Sequence, residues 1–463
     1  MISADFKEIR RRWPAGITPR HFVLPVVLLV CAMSLSGCMD RIRDEYVPGQ
    51  ATSGAGKAVT AEPRGDKIPS AGETDRVKPS EKIPENTVKN SIHQGVSPGV
   101  TDKGQASSGS AETGASAPES QAFPAEATVS YNGETITEDT EWRGKVIVRG
   151  SVTVAPQATV TVSPGTVVRF SRSAGGENTA VLLVRGRIAA GGTKDRPVKF
   201  LPTGDEPRSA TWQGIMFLAS EKNNILEHCR IEGAETGVDA AYSTVTVRDS
   251  IFSGCRTALR ARDSRARISG CAASNCELGA GLYDSEAEIA GGTMVSNRTA
   301  IFAKGSSLYL TDTVMADNSK EALRAEESTV KVTGSKFGGN GDGLVLSACE
   351  GLVSGNRIAQ NGGCGISLAG SRMQVTANDI SQNGRIGIRV ADGKGIAWGN
   401  IISANGQYDV YNAGAEDFRA IGNWWGAGSA PASPGKIFDR AVNPASGKVL
   451  CFPLLRDMPV VAP

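Results

Sequence analysis

The sequence predicts an all-β solenoid, a coil of short strands stacked rung upon rung, and three observations carry that prediction. Ten consecutive segments between about residues 225 and 425 repeat every 21 to 23 residues, with the same residue types in the same places. Within each segment apolar residues alternate with period two, as in Val245-Thr246-Val247, Leu308-Tyr309-Leu310, Val330-Lys331-Val332 and Met373-Gln374-Val375. Asn, Gly and Ser separate these runs, and no ten-residue stretch carries the 3.6 period that a helical solenoid needs.

Residues 1–38 carry an address rather than a fold. Lys7, Arg10, Arg11, Arg12 and Arg20 give a basic start, and His21 to Leu35 an apolar core. Phe22 to Leu35 is short for a membrane span of about 20 residues. Leu35-Ser36-Gly37-Cys38 resembles the lipobox of a bacterial lipoprotein signal. That resemblance implies cleavage between Gly37 and Cys38, a lipid on Cys38, and attachment of the chain to a membrane. Met39 after the cysteine implies the outer membrane of a bacterial cell envelope, on its periplasmic or surface face.

Residues 39–127 read as a disordered tether. Tyr46 and Phe123 are the only aromatics, and Ser, Gly, Ala, Pro, Lys and Glu fill the rest, so little apolar surface is available to offset ordering entropy. As a flexible coil it would span on the order of 50 Å. Residues 128–224 supply irregular first rungs, through Val146-Ile147-Val148, Val152-Thr153-Val154, Val160-Thr161-Val162, Val167 to Phe170, Leu182 to Val184, Val198 to Phe200 and Ile215 to Phe217.

Residues 225–427 are the regular repeats, and their columns predict the stacking. One column reads Cys229, Ser250, Cys271, Gly292, Thr313, Ser335, Asn356, Asn378, Asn400, Asn423. Two places later an apolar column includes Ile231, Phe252, Met294, Met315, Phe337 and Ile358. Five places after the first column stand Cys255, Cys276, Asn297, Asn318, Asn340, Asn361, Asn383 and Asn405. A serine column runs through Ser243, Ser264, Ser285, Ser306, Ser328, Cys349 and Ser371. Asparagines at such corners can bond amide to amide along the stack and accept the left-handed backbone of a tight turn. Outer charges also fall in register one repeat apart: Arg265 with Glu286, Arg267 with Glu288, Arg357 with Asp379, Glu350 with Arg372. Residues 428–463 form a cap and tail.

The repeat columns, together with Gly422-Asn423-Trp424-Trp425-Gly426 and with Thr211-Trp212-Gln213-Gly214-Ile215 after Arg196-Pro197-Val198-Lys199-Phe200, resemble right-handed parallel β-helix proteins of the pectin-lyase-like superfamily, with a NosD-type close. The resemblance implies a right-handed coil. It leaves function open among enzymes and binding proteins.

Three functional readings follow. Polygalacturonase-like Asn-Thr-Asp, Asp-Asp, Gly-His-Gly and Arg-Ile-Lys motifs are absent, as is the alginate-epimerase-like Tyr-Gly-(Phe/Ile)-Asp-Pro-His-Asp. For a polysaccharide lyase or hydrolase the nearest candidates are Glu321 stacked on Asp342, with Arg324 on the same edge, two carboxylates that repel unless a cation, a proton or the arginine sits with them. A copper-handling role, suggested by the NosD-type resemblance, finds few soft or imidazole ligands: His228 starts a rung and Met294 and Met315 occupy a core column. No cofactor is expected, calcium and copper being the alternatives. The third reading asks least: one wall presents Arg260, Gly281, Phe302, Arg324, Val345, Ser367, Arg389 and Tyr411, a row suited to an extended anionic glycan or another envelope protein. A formal charge of +2 on 463 residues argues against a nucleic-acid partner. The chain is expected to be a non-catalytic monomer. Cys255 and Cys276, one rung apart, are the pair with a Cα spacing that a disulfide could bridge.

Overall fold

The computed structural model of the protein describes residues 128–171, 180–204, 212–426 and 435–461. Gly37, Cys38 and the tether fall outside them. The described residues form a right-handed parallel β-helix of three sheets, and every strand pairing is parallel. The first sheet has 13 strands, from Thr128–Asn132 to Ile401–Ser403; the second has 14, from Thr135–Ile136 to Ile437–Phe438; the third has 14, from Thr140–Trp142 to Val449–Leu450. Each regular rung contributes one strand to each sheet, as in Val314–Ala316, Glu321–Glu326 and Thr329–Thr333.

The period-two alternation is what closes the coil. In Leu308 to Leu310 the leucines are buried and Tyr309 is exposed, and the inward residues of all three sheets meet in one continuous core. Met294 and Met315 pair in register inside it. The first rungs obey the same rule with larger side chains: Trp212 is fully buried, stacks on Phe170 with ring centroids 3.9 Å apart, and donates its indole N–H to the Glu232 carbonyl. Gly214 beside it has φ +123° and lies where a β-carbon would fall 1.6 Å from the Thr236 carbonyl oxygen, so only glycine fits. Arg187–Gly191, a strand built on Ile188 and two alanines, and Asn224–Glu227 add rung edges that the apolar runs in the sequence do not announce.

Three polar ladders run along the corners inside the coil. Between the third and first sheets the backbone N–H of Thr313, Ser335, Asn356, Asn378 and Asn400 each donates to the side-chain oxygen one rung on, ending at Asn423. Between the first and second sheets the same pattern links Cys276 through Asn297, Asn318, Asn340, Asn361 and Asn383 to Asn405. Serines do it between the second and third, from Ser220 to Ser243 and on to Ser328. The left-handed backbone, which the sequence places at the ladder asparagines, sits one residue earlier: Asp317 (φ 55°) precedes Asn318, Gln382 (57°) precedes Asn383, and Gly399 (66°) precedes Asn400. The ladder residue needs its side chain inside, so its neighbour turns the chain.

On the outside, Arg265 and Glu286 pair at 2.7 Å, Arg357 and Asp379 at 2.9 Å, and Arg267 and Glu288 at 3.9 Å. Glu350 and Arg372 share register without forming an ion pair. Beyond Trp425, residues 435–461 lay two-residue strands, Ile437–Phe438 and Val449–Leu450, over the end of the second and third sheets.

Candidate functional site: the outer wall of the second sheet

Straight register in the second sheet puts Arg260, Gly281, Phe302, Arg324, Val345, Ser367, Arg389 and Tyr411 in one row, and extends it to Asp239 before Arg260 and Phe438 after Tyr411. At roughly 4.8 Å per strand, the stretch from Arg260 to Tyr411 spans on the order of 34 Å.

The arginines of this row are not equivalent. Arg260 donates through Nε and Nη2 to Asp239, whose carboxylate is only 2% exposed, and Arg262 donates to the same carboxylate. Those hydrogen bonds raise Arg260 above the usual guanidinium value. Arg324 is held by Glu326 at 2.7 Å and approached by Glu321 at 3.6 Å, and the Glu326 hydrogen bond raises it likewise. Arg389 has no carboxylate partner among the described residues, and neither do Arg298 and Lys320.

Arg260, Arg298, Lys320 and Arg324 border an open groove of about 500 Å³, which Arg389 lies beyond. Tyr283 and Phe302 form its apolar floor with ring centroids 5.7 Å apart, and Arg298 and Lys320 stand exposed on its rim. Arg256 closes the near end, paired to Glu235 and Glu277. Some 20 Å on, by the rung spacing, Arg389 stands in register with Tyr411, which stacks on Phe438 at 4.2 Å with Tyr408 against both. Sequence columns miss Phe438, because it lies past the last repeat and only the folded tail carries it onto the row.

Glu321 and Asp342 do lie in register. Both carboxylates have structural occupations: Glu321 accepts from Thr299 Oγ1 at 3.1 Å and faces Arg324, while Asp342 accepts the Cys364 backbone N–H at 2.6 Å. Cys255 and Cys276 stack one rung apart as free buried thiols. The Cys255 thiol is pushed up by its hydrogen bond to the Cys276 sulfur and by burial.

Comparison with known families agrees on the coil. A family model described as a right handed beta helix region matches residues 279–424. No curated protein matches the chain. Among solved structures, the periplasmic alginate epimerase AlgG is 13% identical, with 63% of this chain and 78% of that chain covered and a TM-score of 0.27. The A-module of the Azotobacter vinelandii mannuronan C-5 epimerase AlgE6 is 13% identical, covering 71% and 91%, with a TM-score of 0.33. The Dettilon tailspike protein is 11% identical, covering 70% and 62%, with a TM-score of 0.21.

Proposed function

We propose that this right-handed parallel β-helix holds an extended anionic polysaccharide along the outer wall of its second sheet, without cleaving it. The observation that carries the reading is the spacing of unpaired cations and aromatic faces along one wall: Phe302 of the row with Tyr283, Arg298 and Lys320 lining the groove beside it, then Arg389 of the row followed by Tyr411 and Phe438. Sugar rings have apolar faces that sit on aromatic rings, and their carboxylates or sulfates pair with guanidinium groups. A flat wall with several weak contacts suits a polymer, whose repeated units engage them together. The non-catalytic part of the proposal rests on Glu321 and Asp342 each being committed to a neighbour.

We place the protein at the outer membrane, tethered by a lipid on Cys38, because Leu35-Ser36-Gly37-Cys38 supplies the acceptor and residues 39–127 the spacer. Detergent partitioning tests the anchor: the chain should enter the detergent phase, and Cys38→Ser should release it. A glycan array with acidic and neutral polymers, coupled to an assay for unsaturated or reducing ends, tests the wall. Binding to acidic polymers that falls about tenfold in Arg389→Ala, or about 1.4 kcal/mol, is expected. Products that vanish in Glu321→Ala or Asp342→Ala would replace the binding reading by a lyase or hydrolase.

A further inference from the structure

On another corner, between the third and first sheets, Glu227, His228 and Asp249 each offer a ligand atom, and the three atoms all lie within 4.8 Å of one another. We infer that this trio is a binding site for a divalent first-row transition cation of the zinc class. Glu227 ends the strand Asn224–Glu227, His228 turns the corner into the first sheet, and Asp249 turns the same corner one rung later. The stacking that aligns the corners is therefore what gathers the three side chains.

Three features of this corner point to a cation rather than to a solvated turn. None of the three side chains has a hydrogen-bond or ion-pair partner among the described residues, although Arg248 stands in register with Glu227. Two carboxylates this close repel each other unless a cation joins them. The rungs on either side also leave the corner clear. Gly191 lies in register with Glu227 and has open space where a side chain would stand, while a β-carbon on Gly270 would fall 2.3 Å from Asp249 Oδ1. Outward carboxylates such as Glu286 and Asp379 are paired with arginine, and the corner aspartates Asp284, Asp312 and Asp317, each facing a glycine as Asp249 does, have no histidine and second carboxylate gathered beside them among the described residues.

The donor set selects the ion. One imidazole with two carboxylates, partly exposed, suits zinc with water in its remaining position; calcium and magnesium prefer oxygen alone. Zinc bonds of about 2.0–2.2 Å need the three atoms drawn in by about 1 Å, which rotation of partly exposed side chains provides. Cys229 takes no part, since its sulfur is buried and bonds the Ala190 and Glu227 carbonyls. The site lies away from the glycan wall and stands or falls without it.

Equilibrium dialysis of the full-length protein against zinc chloride alone tests the inference. His228→Gln and Asp249→Asn are suitable variants because Gln382 (φ 57°) and Asn275 (φ 56°) already take left-handed backbone at the coil's corners between the first and second sheets, so the coil should stay intact, as a melting curve without metal would verify. One saturable site, weakened at least about tenfold by either variant and untouched by Glu288→Gln, is the expected result. No saturable binding, binding indifferent to both variants, or equal affinity for calcium would overturn it.

Discussion

Asp239 grips Arg260 one rung on, with Nη2 2.6 Å from Oδ2 and Nε 3.1 Å from Oδ1. This bidentate contact takes the first arginine of the wall out of use, because its charge is met before a ligand arrives. With Arg324 held by Glu326 and Glu321, it leaves Arg389 as the unpaired arginine of the row among the described residues.

Asp239→Asn should therefore raise affinity for acidic glycans by releasing Arg260 and Arg262, while costing about 1–3 kcal/mol of stability for the lost charge-assisted bonds. Isothermal titration paired with urea unfolding measures both. Unchanged or weaker glycan binding would show that the wall does not act through its free charge.

Asn378 is among the most heavily used ladder residues. It accepts from Asn356 N and Nδ2, both at 2.9 Å, and donates to the carbonyls of Val353 and Thr376 and to Asn400 Oδ1. Asn378→Ala should cost about 3 kcal/mol or more, since several buried backbone groups lose partners at about 1–3 kcal/mol each. Asn378→Ser should cost less, because Ser335 performs the backbone part of the task in the same column. Equal midpoints for both variants would contradict the ladder account.

Asp409 ends the second asparagine ladder, accepting from the N–H and Nδ2 of Asn405. Burial, the largest influence, raises its pKa, and the Asn405 bonds and Lys436 only partly oppose it. The folded state therefore holds this proton more tightly than the unfolded chain. Stability from the group is complete below the unfolded value near about 3.9 and is lost as pH rises through the higher folded value. Asp409→Asn keeps the accepting oxygen without the charge. Its melting temperature should exceed that of the unaltered protein at about pH 8, with the gap closing toward about pH 4. A gap that widens on acidification would reverse the assignment.

Burial pushes the Cys229 thiol up to about 12 and the Cys271 thiol up to about 11. Both should resist iodoacetamide at about pH 8 until the coil is unfolded, because the thiolate is the reacting form. Cys364, half-buried at the second-sheet edge, should be alkylated first among the described cysteines. Peptide mass mapping before and after urea reads the order. A native Cys255–Cys276 disulfide in the same map would mean that the stacked thiols close after all.

Much of the coil was legible in the sequence because stacking makes identity periodic. A residue such as Met315 or Cys271 could be assigned to a column, and hence to the interior, without any coordinates. What the columns could not supply was the position of the corner within each rung: asparagine looks suited to left-handed backbone, yet Asn318 is needed inward and Asp317 takes the turn. Pairings that break the repeat were equally hidden. Asp239 with Arg260 was obscured because that column holds an acid only once, and Tyr411 with Phe438 because the tail returns from outside the repeats. His228 read as a rung start because Asp249, although one rung on in its own column, sits in a column that otherwise holds mostly glycine, and Glu227 belongs to the neighbouring one.

The two-residue strands Ile437–Phe438 and Val449–Leu450 give the coil a terminus as well as an end. Without them the last full strands of two sheets would offer unsatisfied N–H and C=O groups in the geometry that a further rung requires. A second molecule could dock there and the coil could propagate into fibres. On this view the tail acts as a chain stopper, and a protein ended after Trp425 should scatter light increasingly with time and concentration compared with the full chain.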